Sequence, residues 1–149
     1  GFNQNIIPGM VEMEGTVRTL NRETRSRIAR RIEEVSKGIA QSMRGDAELT
    51  YDFKYPPLIN DEEFTKFFRE VAVKVVGEDK ILEMKEPVMG GEDMAYFLEK
   101  APGTFIFLNN PKEIEGAIYP HHNSKFDIDE SYFKVGAALF VQTVFDYLK

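Results

Sequence analysis

Pro56 and Pro57 stand side by side in Tyr55-Pro-Pro-Leu-Ile-Asn60, and they divide the chain into stretches of different texture. Each proline locks φ and removes an amide donor, so neither a helix nor a central strand runs through the pair. Such a pair suits a crossover linker. A domain boundary is expected here, with residues 1–57 on one side and 60–149 on the other. The total of 149 residues fits one ordinary domain or two small half-domains.

Before the prolines the pattern reads strand, helix, strand. Val11, Met13, Gly15, Val17 and Thr19 alternate with Glu12, Glu14, Thr16 and Arg18, as in a half-buried strand. Asn21 is a suitable N-cap, and Ile28, Ile32, Val35, Ile39 and Met43 then recur at helical spacing over about 20 residues. Gly45-Asp46 is the expected end of that helix. Ala47, Leu49, Tyr51, Phe53 and Tyr55 alternate with polar residues as a second strand. One polar sheet face predicts an α+β layer with its helix on one side.

Beyond the prolines the chain changes character. Asn60-Asp-Glu-Glu63 predicts a capping box, with a helix through Val76 stopped by Gly77. Lys80–Met84 suits a short strand and Glu92–Glu99 a short helix opened by Gly90-Gly91. The apolar run Thr104-Phe-Ile-Phe-Leu108 predicts a strand buried on both faces. Asp129 caps a last helix whose Ala138, Val141, Phe145 and Leu148 lie on one side. A buried strand among helices belongs to an α/β domain, yet one such strand is too few for a sheet.

Composition narrows the class. The 42% hydrophobic content and 18 Phe and Tyr residues suffice for a core. No apolar run reaches the roughly 20 residues of a membrane helix. The first residues show no basic or apolar signal region, and there is no cysteine for disulfides or thiolate ligands. A cytoplasmic protein without a membrane or nucleic-acid partner is the expectation. The net charge is −6, with residues 18–44 at +5 and the remainder at −11. That basic helix reads either as a nucleic-acid footprint or as the solvated face of an amphipathic helix.

The only two histidines, His121 and His122, are adjacent in Tyr119-Pro-His-His-Asn-Ser-Lys-Phe126. A loop histidine is either a hydrogen-bonded structural residue or a metal ligand, and loops at strand ends are where α/β folds place sites. Neighbouring side chains in an extended loop diverge, so one of the pair at most serves a given ion. In Met89-Gly-Gly-Glu-Asp-Met94 the glycines mark either a turn or a close backbone approach to a ligand. Glu92 and Asp93 suit a helix start. Arg18 is either an ordinary strand residue or a fork for a substrate carboxylate, and Asn5 fits an ordinary turn.

The order of motifs is more specific than any one of them. Asn5-Ile-Ile-Pro8, Glu14-Gly-Thr-Val-Arg18, Tyr55-Pro-Pro57 with Asn60-Asp61, Met89-Gly-Gly-Glu-Asp-Met-Ala-Tyr-Phe97, Pro102-Gly103 and His122-Asn-Ser-Lys-Phe126 resemble the M20 metallopeptidase family. The amidohydrolase branch, which includes hippurate hydrolases and N-acyl-amino-acid deacylases, is the part most resembled. Those enzymes are longer, with an α/β catalytic domain interrupted by a small lid that usually dimerises. The resemblance makes residues 1–57 the end of a β-α-β (ferredoxin-like) lid and 60–149 the returning part of the catalytic domain.

The same resemblance implies a role for each candidate. His122, four residues before Phe126, corresponds to the last metal ligand of the family, and His121 has no such role. Asn5 and Arg18 fall where the lid meets the substrate carboxylate, and Gly90, Gly91 and Glu92 line the cleft. Ser124 stands where many members have proline. The other ligands and the catalytic glutamate fall upstream of Gly1, so this chain has no catalytic residue of its own and is expected to be inactive alone. Two divalent ions, zinc or manganese or similar, an N-acyl amino acid or peptide substrate, and a homodimer through the lid are implied. The alternative is a non-catalytic β-α-β module for dimerisation or RNA binding. Tyr51, Phe53 and Tyr55 share one strand face there, but not in an RNA-stacking pattern.

Overall fold

A computed structural model describes residues 3–149. The chain divides into two compact units. One comprises the described residues up to Pro57 with Pro87–Gly91, and the other Leu58–Glu86 with Glu92–Lys149. The fold is mixed: α1 (Arg22–Ser42), α2 (Glu62–Val76), α3 (Met94–Leu98), a hairpin of β1 (Glu113–Ile114) and β2 (Ala117–Ile118), and α4 (Phe133–Tyr147). No described helix is long and apolar enough to cross a membrane.

In the first unit α1 begins where its cap predicts. The Asn21 carboxamide oxygen accepts from the Thr24 amide at 3.0 Å, satisfying one of the orphan donors of the first turn. Its end differs by one residue from the Gly45 expectation. Arg44 takes the left-handed conformation (φ 63°), the Gly45 amide reaches back to Ala40 O and the Arg44 amide to Gln41 O. That is a Schellman closure with arginine in the position glycine usually fills. Arg25 fastens the helix to the following segment, donating to Lys54 O and lying over the Phe53 ring. Ala29 is the buried residue of α1, and the apolar stripe emerges toward the C-terminus, from Val35 at 44% exposed to Met43 at 80%.

The second unit is built on α2 against α4. Asp61, not Asn60, is the N-cap of α2, accepting from the Phe64 amide at 2.8 Å. Asn60 instead bonds the backbone of Phe105 on both sides, accepting from its N–H at 2.8 Å and donating to its C=O at 3.0 Å. Val71 is fully buried, and Ala72 and Leu139 are buried as well. Phe64, Phe67 and Tyr147 form a ring cluster with centroids 5.6–6.0 Å apart. The face of α4 that turns inward carries Leu139, Gln142, Thr143 and Asp146. The apolar side read from the sequence is outward, with Val141, Phe145 and Leu148 all more than half exposed. A helix apolar on the side away from its neighbour is built to be covered on both.

The expected strands are the main difference. Residues 11–19, 47–55, 80–84 and 104–108 carry no ladder among the described residues, and 78–80 form a turn of 3₁₀ helix instead. Alternation says which face of a strand is apolar, but the hydrogen-bonding neighbour must come from elsewhere. The strands that do pair are β1 and β2, antiparallel with Glu113 opposite Ile118. Their two-residue connection, Glu115-Gly116, has positive φ at both positions (53° and 82°), as a type I′ turn requires.

Asp146 fixes the contact between α2 and α4. Its side chain is 7% exposed and accepts from Lys74 at 2.9 Å and from Lys149 at 3.2 Å. Hydrogen bonds from Lys74 and then Gln142 hold its carboxyl at about 2, below the ordinary 3.8. A depressed carboxyl pKa contributes stability that is complete above the unfolded value and lost as pH falls through the folded one. Thermal unfolding followed by circular dichroism should therefore show a loss of stability between about pH 4 and about pH 2. Asp146→Asn should flatten that part of the profile, and an unchanged profile would show that other carboxylates set it.

Candidate functional site

The histidine loop is closed by the chain on either side of it. Asn110–Lys112 runs against Asp127–Asp129: the Asp129 amide donates to Asn110 O at 2.9 Å, and the Lys112 amide to Asp127 O at 3.3 Å. The Asn110 side chain returns a bond to Asp129 O at 3.0 Å, and Lys112 pairs with Asp127 at 2.7 Å. From that base rises the β1–β2 hairpin. Lys125 then ties the loop back to it through Glu115 at 3.2 Å and lies over the Tyr119 ring.

Two consecutive turns shape the loop itself. The Asn123 amide donates to Pro120 O at 3.2 Å, making His121 and His122 the central residues of a turn. His122 is left-handed at φ 67°, as the third residue of a type II turn is. Histidine is among the few non-glycine residues enriched in that region. The Phe126 amide then donates to Asn123 O at 3.0 Å, while the Asn123 side chain accepts from the Lys125 amide at 2.8 Å. Ser124 is the second residue of this turn. Proline suits that place because its fixed φ is already right, and serine closes the turn as well. The His121 ring packs edge-on against Phe126, centroids 4.7 Å apart.

The nearby carboxylates already have partners. Lys112, then the Ile128 amide, bond Asp127 and lower its pKa; Ser131 does the same for Asp129. Among the described residues no three His, Asp or Glu side chains converge on a point where an ion could sit. One imidazole is one donor, and a divalent centre closes round about four. The described residues do not compose such a centre by themselves.

In the first unit Arg18 and the glycine pair come together. Arg18 Nη1 donates to Met89 O at 3.0 Å. A Cβ on Gly91 would lie 3.3 Å from Tyr55 Cδ2 and 3.5 Å from Arg18 Nη1, whereas one on Gly90 would meet nothing within 4 Å. Close approach therefore explains Gly91 and not Gly90. Tyr55, which the sequence offered as a strand residue before two prolines, is the residue that crowds Gly91. Asn5 occupies an exposed turn in which the Ile6 amide bonds Asn3 O. Glu92 belongs to the second unit, where its carboxylate accepts from the Met94 amide at 3.3 Å and opens α3.

Residues 3–146 match peptidase family M20/M25/M40. Thermostable carboxypeptidase 1 of Saccharolobus solfataricus is 36% identical over 138 residues, which is 92% of this chain and 34% of that protein. N-acetyldiaminopimelate deacetylase of Enterococcus faecalis is 35% identical over 97% of this chain and 36% of its own length. N-acetyl-L-cysteine deacetylase of Bacillus subtilis is 34% identical over 88% of this chain and 30% of its own. The chain spans about a third of the length of these curated relatives.

The two glycines should respond differently to substitution. Gly91→Ala should displace the Tyr55 ring or the Arg18 guanidinium and cost about 1–3 kcal/mol, the usual range for forcing atoms into a filled space. Gly90→Ala should be neutral or slightly stabilising, because it restricts the unfolded chain without a clash. Chemical denaturation of both variants is the measurement. Equal losses would show that backbone conformation, and not contact with Tyr55, demands glycine at Gly91.

Proposed function

The chain belongs to peptidase family M20/M25/M40, and we propose that it is the C-terminal part of a metal-dependent amidohydrolase cleaving N-acyl amino acids or small peptides. Residues 1–57 are read as the closing part of the β-α-β lid, in which 11–19 and 47–55, on either side of α1, become strands once partner segments pair with them. Residues 60–149 are read as the returning part of the α/β catalytic domain. The outward apolar faces of α1 and α4 support this reading, since each is a surface made to be covered. Pairing of two copies through the lid would cover the first. The polypeptide that the relatives carry over the rest of their length would cover the second.

The observation that carries the reading is His122. It lies four residues before Phe126 at the head of a doubly turned loop, in a chain that matches the family from residue 3 to residue 146. In this proposal His122 supplies one donor to a divalent centre, which polarises the scissile carbonyl when bound. The remaining donors and the general base come from outside residues 1–149. Arg18 reads the substrate carboxylate with the donors that Met89 O does not take, while Asn5, Gly90, Gly91 and Glu92 border the cleft.

The isolated chain should hydrolyse neither hippurate nor N-acetyl amino acids when zinc or manganese is added, because one imidazole does not close a metal site. A chimera should do so. In it, this chain replaces the matched 138 residues of the Saccharolobus solfataricus carboxypeptidase. His122→Ala in the chimera should lower metal affinity or activity by about 10–100-fold or more. An active chimera that tolerates His122→Ala would sink the assignment, as would metal-dependent turnover by the chain alone.

Arg18→Lys in the same chimera separates binding from structure. Lysine keeps the charge and loses the bidentate fork. The variant should lose about 2–4 kcal/mol of transition-state stabilisation on N-acyl amino acids. The corresponding N-acyl amides, which lack the carboxylate, should be turned over almost unchanged. Equal losses on both would show that Arg18 serves Met89 and the chain around it.

A further inference from the structure

The proposed chemistry gives the His121 ring no task. That ring is also the part that bridges the loop from end to end. His121 is the second residue of the first turn and Phe126 the last residue of the second, and their rings meet edge to face at 4.7 Å with planes 65° apart. Such an arrangement sets the positive ring edge against the negative face of its partner. Between them lies His122, held in a left-handed conformation that costs any residue with a side chain free energy. Something must meet that cost, and the loop is exposed, so a surrounding core does not.

We propose that His121 and Phe126 form a ring clasp that holds His122 in its left-handed conformation, which makes both of them positioning residues for the His122 imidazole. This rests on the reading of His122 as the functional residue of the loop. Each backbone bond here closes only one turn, Asn123 to Pro120 or Phe126 to Asn123. The ring pair spans both turns, so neither turn opens without parting the rings. The clasp also gives the four-residue interval between His122 and Phe126 a mechanical meaning. A second turn of four residues, started by Asn123, is what returns the aromatic ring to the first.

The clasp is tested by NMR on the 149-residue chain with no metal present. A positive φ gives a strong intraresidue amide-to-Hα contact, which His122 should show. His121→Ala should abolish that contact and speed solvent exchange of the Asn123 and Phe126 amides by about tenfold or more. His121→Phe should restore both, since it keeps the ring and removes the imidazole nitrogens, and Phe126→Leu should behave like His121→Ala. Exchange of the α2 and α4 amides should not move in any of the variants, which separates a local change from unfolding. Left-handed geometry retained in both His121→Ala and Phe126→Leu overturns the proposal, and so does failure of His121→Phe to rescue. These outcomes are independent of the ligand assignment, which is tested separately by His122→Ala in the chimera and by turnover assays on the chain alone.

Discussion

A backbone amide or carbonyl that finds no partner in a helix or a ladder must find one elsewhere or remain in water, and much of this chain runs outside both. Side chains take up that work. Asn60 grips Phe105 by both its N–H and its C=O, reproducing with one carboxamide the paired bonds a neighbouring strand would make. Asn110 does half of the same for Asp129. Arg18 holds Met89 O and Arg25 holds Lys54 O, each joining segments distant in the chain. These contacts set where the candidate residues lie. Arg18 on Met89 ties the Gly90-Gly91 segment to its unit, and Asn110 on Asp129 adds a bond to the base of the histidine loop.

The same dependence on partners explains what could be read from the sequence. Helices were legible because their instructions are local: Asn21 and Asp61 cap within three residues, and Gly77 stops α2 with φ 88°. Strand-like alternation in 11–19 and 47–55 was legible as a pattern, but a ladder is a relation between two segments and no local residue specifies the second. The hairpin at 113–118 escaped notice because Glu115-Gly116 lacks the Asn-Gly or Asp-Gly chemistry that announces a type I′ turn. On α4 the spacing of Ala138, Val141, Phe145 and Leu148 was legible as one apolar side, but which side of the helix would meet a neighbour was not. α2 meets the other side, where Asp146 lies with Lys74.

The candidate site shows the same division. His122 could be located from its interval to Phe126, yet nothing in the sequence indicated its left-handed backbone or the ring of His121 against Phe126. Gly91 could be marked as a glycine of interest, but the reason for it is a ring contributed by Tyr55, thirty-six positions earlier. Glu92 turned toward the start of α3, which is the plainer of its two readings. Motif order identified the family, while contact geometry distinguished which members of each motif are constrained and by what.

A loop that sets its own geometry is of particular use in a metal centre assembled from distant parts of a chain. Ligands that converge from separate segments must each be aimed before the ion arrives, because binding energy spent on ordering a loop is not available as affinity. The region around His122 is closed on itself: by the 110–112 and 127–129 pairing at its base, by Lys125 on Glu115, and by two turns at its head. None of those contacts draws on residues outside 110–129. A histidine carried in this way needs only to be brought to its partners, not reshaped by them. The rest of the second unit, α2 locked to α4 through Val71 and Asp146, then serves as the body that carries it.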